Sequence, residues 1–306
     1  MLLQIDGSEH RWLGDRGPEL CLIAAIDDAT GQVPAALFRP QEDAAGYFLL
    51  LRSIVETQGL PLALYADRHT IFQSPKKATV EQQLAGEAPR SQFGRLVDEL
   101  GLELIPSYSP QARGRIERLF GTFQDRLIKE MTLAQISTLE AANHFLATFL
   151  PRFNAAFAQK PAEPESAYLP LPTELDLEDH FCFKHSRKVR TDNTISFAGH
   201  PLQIPPDRHR RSYARCQVEV RQHMDGRVSV SYQDRKLVTF EPEEAGPPKV
   251  GTFIPAVQPA ETIEISRNGK PERTNETKGR QPWKPAPDHP WRRYGKTAAR
   301  SAKGKG

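Results

Sequence analysis

The feature that most constrains this chain is the run Leu20–Asp27 (LCLIAAID), an unbroken apolar stretch closed by an aspartate. A strand with one wet face alternates polar and apolar residues, whereas a strand without alternation is covered on both faces. The run is too short for a buried helix and is bounded by Pro18 and Asp28, so it reads as the central strand of a sandwiched sheet. Leu2–Asp6 (LLQID) reads as a second buried strand, and Gln32–Phe38, beyond the turn at Gly31, as the strand that returns.

The period then changes. Glu42–Gln58 carries an apolar helical face of Ala45, Phe48, Leu49, Ile54 and Val55, with Gly59 at the stop position. Pro61–Ala66 (PLALYA) is a short buried strand that runs into Asp67. Residues 73–91 are polar and read as an exposed loop. Gln92–Leu100 is a helix closed by Gly101, Leu102–Ile105 a strand, and Pro110 precedes long helical patterns over roughly Gln111–Met131 and Leu139–Phe157. The order β-β-β-α-β-α-β-α-α predicts an α/β fold, a mixed sheet with helices on its faces.

Beyond Pro161, prolines at 161, 164, 170 and 172 break the pattern, and short strand signals return from Val189 to Glu241, including a hairpin around Asp225-Gly226. The expected organisation is a core over 1–165, a linker over 166–186, a small β-barrel over 187–245 and a disordered basic tail over 246–306. Charge supports the last boundary. Residues 266–306 hold 12 Lys/Arg against 3 Asp/Glu, while residues 1–265 hold 29 against 35, so the net charge of +3 hides an acidic body and a basic end. Such tails hold nucleic acid through phosphates, or they merely solubilise. No apolar run approaches the roughly 20 residues of a membrane span. The three cysteines, far apart and without a CxxC pair, exclude a zinc-ribbon or disulfide framework and fit a reducing cytosol.

Three acids sit on or beside rigid apolar elements: Asp6 at the end of the first strand, Asp67 at the end of the fourth, and Glu117 on the long helix SPQARGRIERLFGTF. Carboxylates held in advance suit hard cations such as Mg²⁺, which take oxygen ligands and keep sites for water and phosphate. Two such ions roughly 4 Å apart activate a hydroxyl and stabilise a leaving oxygen in phosphoryl transfer. The bland alternatives stay open: strand-end aspartates also cap turns, and Glu117, ringed by Arg113, Arg115 and Arg118, taken alone reads more often as a salt-bridged acid on a solvated face. Ile116, Leu119, Phe120, Phe123, Leu127 and Ile128 form the helix's core face, and Glu117 lies beside it in line with Arg113, Gly121 and Gln124.

Other residues carry weaker signals. Asp27 and Asp28 read as structural, with Asp28 capping the turn before Gly31. His10 reads as exposed and Trp12 as core packing. Arg68 and His69 adjoin Asp67 as candidate phosphate contacts, and Tyr108, Ser109 and Gln111 are strand contacts or cap residues. Arg187, Lys188, Arg190, Arg208, His209, Arg210 and Arg211 form a basic cluster suited to a DNA backbone. In the tail, Trp283, Trp291 and Tyr294 stand among cations.

The stretches QIDGSEHRWL, LALYADRHTIF and SPQARGRIERLFGTFQDRL resemble the catalytic core of integrase-type transposases with the Asp-Asp-Glu signature, most closely the ISNCY group of insertion sequences. The likeness covers roughly residues 1–170. It implies a ribonuclease-H-like fold, catalysis and metal binding by Asp6, Asp67 and Glu117, and two Mg²⁺ or Mn²⁺ ions. It further implies DNA cleavage at transposon ends, 3′-OH strand transfer into target DNA, and a homo-multimer in a bacterial cytoplasm, associated with the nucleoid. Arg68, Arg113, Arg115, Arg118, Gln124, Arg208, Arg210 and Arg211 are the expected DNA contacts. Asp67 and Glu117 have 49 residues between them, a wider spacing than in retroviral-type integrases, which the loop at 73–91 takes up. Relatives carry helix-turn-helix segments before the core, and this chain opens almost on its first catalytic strand. A truncated, decayed copy acting only as a DNA-binding or assembly module is therefore the competing expectation.

Overall fold

The computed structural model describes residues 2–67, 70–72, 74, 89–107, 113–161, 163, 166–233 and 235–242. Its first sheet is built from β1 (Leu2–His10), β2 (Leu20–Asp27) and β3 (Ala35–Arg39), then β4 (Ala63–Ala66) and β5 (Glu103–Pro106), in the order β3-β2-β1-β4-β5. The first three strands pair antiparallel, and β1–β4 and β4–β5 pair parallel. An antiparallel hairpin pair extended on one side by parallel strands is the ribonuclease-H-like arrangement. The mixed sheet with flanking helices expected from the sequence is therefore observed.

Strand β2 is buried at every position, and its side chains divide by parity. Cys21, Ile23 and Ala25 join Leu3 and Ile5 of β1 in a core shared with α1 (Ala44–Thr57) and α2 (Gln92–Glu99). Leu20, Leu22, Ala24 and Ile26 point the other way, into a core with α3 (Gly114–Leu133) and α4 (Leu139–Phe157). In that second core Phe123 meets Phe149 and Phe153 edge-on at 5.5 and 4.9 Å. The expected burial of Trp12 holds, for its side chain is fully enclosed there.

Edge strand β3 would leave one row of backbone groups unpaired. Two asparagines of α4 serve them. Asn143 accepts from the Phe38 N–H at 2.7 Å and donates to the Phe38 carbonyl at 3.1 Å. Asn154 does the same for Val33, just before β3, at 2.9 and 2.8 Å.

The C-terminal part corrects one expectation. After the short helix α5 (Leu177–His180) come β6 (Cys182–Lys188), β7 (Thr194–Phe197), β8 (His200–Gln203), β9 (Gln217–His223), β10 (Val228–Tyr232) and β11 (Arg235–Phe240). In place of a closed barrel, they form an open sheet ordered β11-β10-β9-β6 and a separate β7–β8 hairpin. Hairpin residues Ile195, Phe197 and Leu202 share a core with Val218, Val220, Val228 and Val230. Side-chain packing encloses this core, and among the described residues no strand pairing closes the ring. Strand β6 was not announced by the sequence, because CFKHSRK buries only its first two residues and shows no alternation.

Strand β6 fastens this sheet to the first core. Phe183 stacks on Phe48 of α1 at 4.8 Å, and Phe181 and Met224 join the same cluster. Gln92 of α2 donates to the Lys184 carbonyl at 2.7 Å and accepts from the Lys184 N–H at 3.0 Å. Arg95 donates to the Cys182 carbonyl at 2.6 Å. Truncating a buried, stacked aromatic removes transfer energy and leaves a cavity. Phe183→Ala is expected to destabilise the protein by about 3 kcal/mol, read by urea denaturation, and to speed amide exchange in α1 as well as in β6. Unchanged exchange in α1 would mean that the two parts are stabilised independently.

Candidate active site

Register brings the first two acids together. Strands β1 and β4 run parallel with Leu2 opposite Ala63, Leu3 opposite Leu64 and Gln4 opposite Tyr65. Two places further along, the same register sets Asp6 across from Asp67, on strands roughly 4.8 Å apart. Asp6 pairs with Ala24 of β2, whose side chain lies in the α3–α4 core, so Asp6 faces the α3 side of the sheet.

Both carboxylates converge on one cation. Arg113 Nη1 stands 3.3 Å from Asp6 Oδ2 and 3.7 Å from Asp67 Oδ2. The Gly7 N–H donates to Asp6 Oδ1 at 3.0 Å. The Asp6 side chain is only 15% exposed. Burial is the chief reason its carboxyl is pushed up to about 6, above the ordinary aspartate value of 3.8. Arg113 and the Gly7 amide pull it down, while Asp67 and Glu42 add to the rise. A carboxylate that remains hard to ionise beside an arginine is short of positive charge.

Glu42 was not singled out in the sequence, because it lies just before α1 and far from the other acids in the chain. It lies against the opposite side of β1, where a Cβ on Gly7 would come within 2.8 Å of its Cδ. Glycine at position 7 thus admits a carboxylate beside the β1 backbone. The Tyr47 hydroxyl donates to Glu42 Oε1 at 2.5 Å, and burial together with Glu42 holds that phenol well above its usual range.

The third acid is placed differently. Glu117 is exposed on the first turn of α3. Among the described residues, no three acidic, histidine or cysteine side chains are grouped closely enough to hold an ion. The structure therefore gathers Asp6 and Asp67 around Arg113, with Glu117 outside the group. The two aspartates fit a hard divalent cation in their donor chemistry, for their oxygens converge on one positively charged atom.

The arginines fall into distinct environments. Arg113 is the N-cap residue of α3 and makes no capping bond with its side chain. Arg115 donates from Nε to Asp28 at 3.1 Å. Arg118 is exposed and Gln124 half-buried along the same helix. Arg68 lies outside the described residues, as do His69, Tyr108, Ser109, Gln111 and the tail aromatics. Arg208 and Arg211 are exposed on the loop before β9. Arg210 lies 5.6 Å from both the Tyr213 and the Tyr232 ring, and donates to the Ser212 carbonyl at 2.6 Å.

The turn after β2 corrects another expectation. Asp27, not Asp28, caps it: Asp27 Oδ1 accepts from the Ala29 N–H at 3.1 Å and Oδ2 from the Thr30 hydroxyl at 2.6 Å. The Asp28 carboxylate reaches back to Gln4 Nε2 at 2.8 Å and to Arg115. Neighbouring aspartates at a strand end point to opposite faces, and the sequence does not say which one meets the turn.

No family model matches the chain. It is 37% identical over 237 residues to the protein y4bF of Sinorhizobium fredii, named as a transposase, which covers 77% of this chain and 51% of that protein. The chain is thus similar to a transposase over about three quarters of its length. The transposase for insertion sequence IS1202 of Streptococcus pneumoniae is 36% identical over 176 residues, 58% of this chain and 37% of the relative. The chain thus spans about half, or less, of the length of these curated relatives. Among solved structures it is similar to the catalytic core domain of BIV integrase, at 21% identity and TM-score 0.34 over 47% of this chain and 78% of that one. It is also similar to the HTLV-2 integrase core in complex with magnesium, at 16% identity and TM-score 0.34 over 47% and 80%. A simian T-cell lymphotropic virus intasome chain gives 15% identity and TM-score 0.38 over 78% of each chain. The ribonuclease-H-like fold of this chain follows from its own strand order. Among its described residues, no helix is long and apolar enough to cross a membrane.

Asp6 gives a pH test with a defined sign. Its folded value, about 6, lies above the ordinary 3.8, so the folded state carries no penalty below 3.8, where the carboxyl is neutral whether folded or not. Stability is lost as pH rises from there through about 6. Asp6→Asn keeps an acceptor for the Gly7 amide and removes that penalty. The variant is expected to gain stability over wild type at pH 8 relative to pH 4, by at most about 3 kcal/mol. Thermal melts at the two pH values check this, and an equal effect at both would contradict the buried, charge-starved state of Asp6.

Proposed function

We propose that this chain is the strand-transferring core of a transposase, with Asp6, Asp67 and Glu117 as its catalytic carboxylates. The observation that carries the reading is the convergence of Asp6 and Asp67, from adjacent parallel strands, on a single cationic atom. The chemistry of the donor set favours Mg²⁺ or Mn²⁺. One of the similar integrase cores is a complex with magnesium. Two such ions, when bound, supply the charge that activates an attacking hydroxyl and stabilises the leaving oxygen.

The chain's own residues divide the remaining work. Asp6 and Asp67 would hold the cations from the sheet, and Glu117 would do so from the first turn of α3. Arg113 supplies positive charge beside the two aspartates, and its guanidinium would suit a DNA phosphate there. Arg118 and Gln124 lie along the same helix and hold the strand's backbone. Arg208 and Arg211, exposed beside β9, provide sequence-independent phosphate contacts, as does the basic stretch 266–306. Arg210 braces the loop against Tyr213 and Tyr232 and contributes charge from there. The substrates are transposon ends and target DNA, and a homo-multimer bridges two ends.

Strand transfer on the element's own terminal DNA with Mn²⁺ tests the reading. Asp67→Asn and Glu117→Gln are each expected to lower the rate by about a thousandfold or more, the scale of several kcal/mol of lost charge stabilisation. Filter binding of the same DNA is expected to stay within about twofold, because phosphate contacts elsewhere dominate affinity. Turnover at the wild-type rate by either variant would overturn the assignment. A wild-type chain that binds DNA and yields no product would favour the assembly-module reading.

A further inference from the structure

Gln4 is a polar side chain in the middle of a buried strand, only 4% exposed, and both of its polar atoms are engaged. Its Oε1 accepts from the Ile116 N–H at 3.2 Å, and its Nε2 donates to Asp28 Oδ1 at 2.8 Å. Ile116 is the third residue of α3, a position whose N–H has no partner within the helix and is ordinarily served by the N-cap side chain. The N-cap residue here, Arg113, makes no such bond and reaches instead toward the two aspartates. Gln4 supplies the missing cap from another element, 112 residues away in sequence.

Asp28 fixes the direction of that amide. A carboxylate only accepts, so Gln4 must present its NH₂ to Asp28 and its oxygen to Ile116. The same Asp28 oxygen accepts from Arg115 Nε at 3.1 Å, and its negative charge lies beside the positive end of α3. These three links tie the first turn of the helix to Gln4 of β1 and to Asp28 just after β2. Gln4 and Asp6 lie on the same face of that strand, two residues and roughly 7 Å apart. Glu117 follows Ile116 directly, about 100° further round the helix.

We infer that Gln4 and Asp28 are positioning residues for Glu117, holding the first turn of α3 at a fixed offset from Asp6. The inference rests on the carboxylate reading of Asp6, Asp67 and Glu117. Neither residue touches the reacting atoms. Their role is to make the approach of a half-exposed helix terminus to the strand ends reproducible, which a metal-ligating side chain requires of its surroundings.

The test uses the full chain and two readouts: Mn²⁺ affinity by titration calorimetry without DNA, and amide exchange of the peptide spanning residues 113–120. Gln4→Met keeps the side chain's length and removes both hydrogen bonds. It is expected to weaken Mn²⁺ binding about tenfold and to speed exchange in the first turn of α3 about fivefold, the effect of losing a cap. Asp28→Ala removes a side chain that is 44% exposed, so it tests the same link where Gln4→Met fails to fold. Gln4→Glu keeps the acceptor facing Ile116 but sets a second carboxylate against Asp28, and is expected to restore neither readout fully. If Asp67→Asn loses Mn²⁺ binding while Gln4→Met and Asp28→Ala keep wild-type affinity and exchange, the positioning role is overturned and the carboxylate site stands. If Asp67→Asn itself binds Mn²⁺ as wild type does, the carboxylate site falls and the positioning role falls with it.

Discussion

The candidate site depends on the parallel pairing of β1 with β4. Three register pairs, ending at Gln4 opposite Tyr65, bring Asp6, in the middle of β1, beside Asp67, just past the end of β4. A slip of one residue would turn one of them to the opposite face of the sheet. The register is held by burial on both faces. Leu3 and Leu64 are opposite one another in the α1–α2 core with no exposed surface, and neither could be moved to the other face without repacking both layers. The geometry of two acids 61 positions apart in the chain is thus set by apolar side chains that take no part in chemistry.

The same principle reaches the helices. Helix α3 is fixed along its length by Ile116, Leu119, Phe120, Phe123, Leu127 and Met131 against the sheet. A stripe of this kind sets rotation about the helix axis well and sliding along it less well, since neighbouring turns present similar surfaces. The hydrogen bonds at its start, from Ile116 to Gln4 and from Arg115 to Asp28, are directional and supply the missing coordinate. At the other edge of the sheet, Asn143 and Asn154 play a comparable part for α4 by hydrogen-bonding to the backbone at Phe38 and Val33. Apolar burial provides the stability of this fold, and a few buried amides set its alignment.

Much of this was legible in the sequence. LCLIAAID announced a strand covered on both faces, and the split of its residues between two cores bears that out. The position of Asp67 just past its strand could be read directly, as could the core stripe of α3, whereas Asp6, expected at a strand end, lies in the middle of β1, which runs on to His10. What could not be read were relations between distant segments. Gln4 drew no notice in the sequence, because its partner Ile116 lies 112 residues on. Asp28 was expected to cap the turn after β2, and Asp27 does so, because the sequence does not show which of two neighbouring side chains meets the turn. Glu42 carried no signal, since its place against Gly7 follows from how α1 enters the core. The open sheet that replaces the expected barrel has the same origin. Alternation over β9 and β10 reports which side is buried, and says nothing of whether the last strand pairs back to the first.

Arg113 stands at the centre of these relations, bridging both aspartates from the start of the helix that carries Glu117. The most direct test is a crystal of this chain grown with Mn²⁺ and measured at the manganese absorption edge. An anomalous peak between the Asp6 and Asp67 carboxylates, with the Arg113 guanidinium withdrawn from both, is the expected result. An Arg113 that still bridges the two aspartates at saturating Mn²⁺, with no anomalous density beside them, would show that the pair is a structural salt bridge and that the metal-dependent chemistry does not belong here.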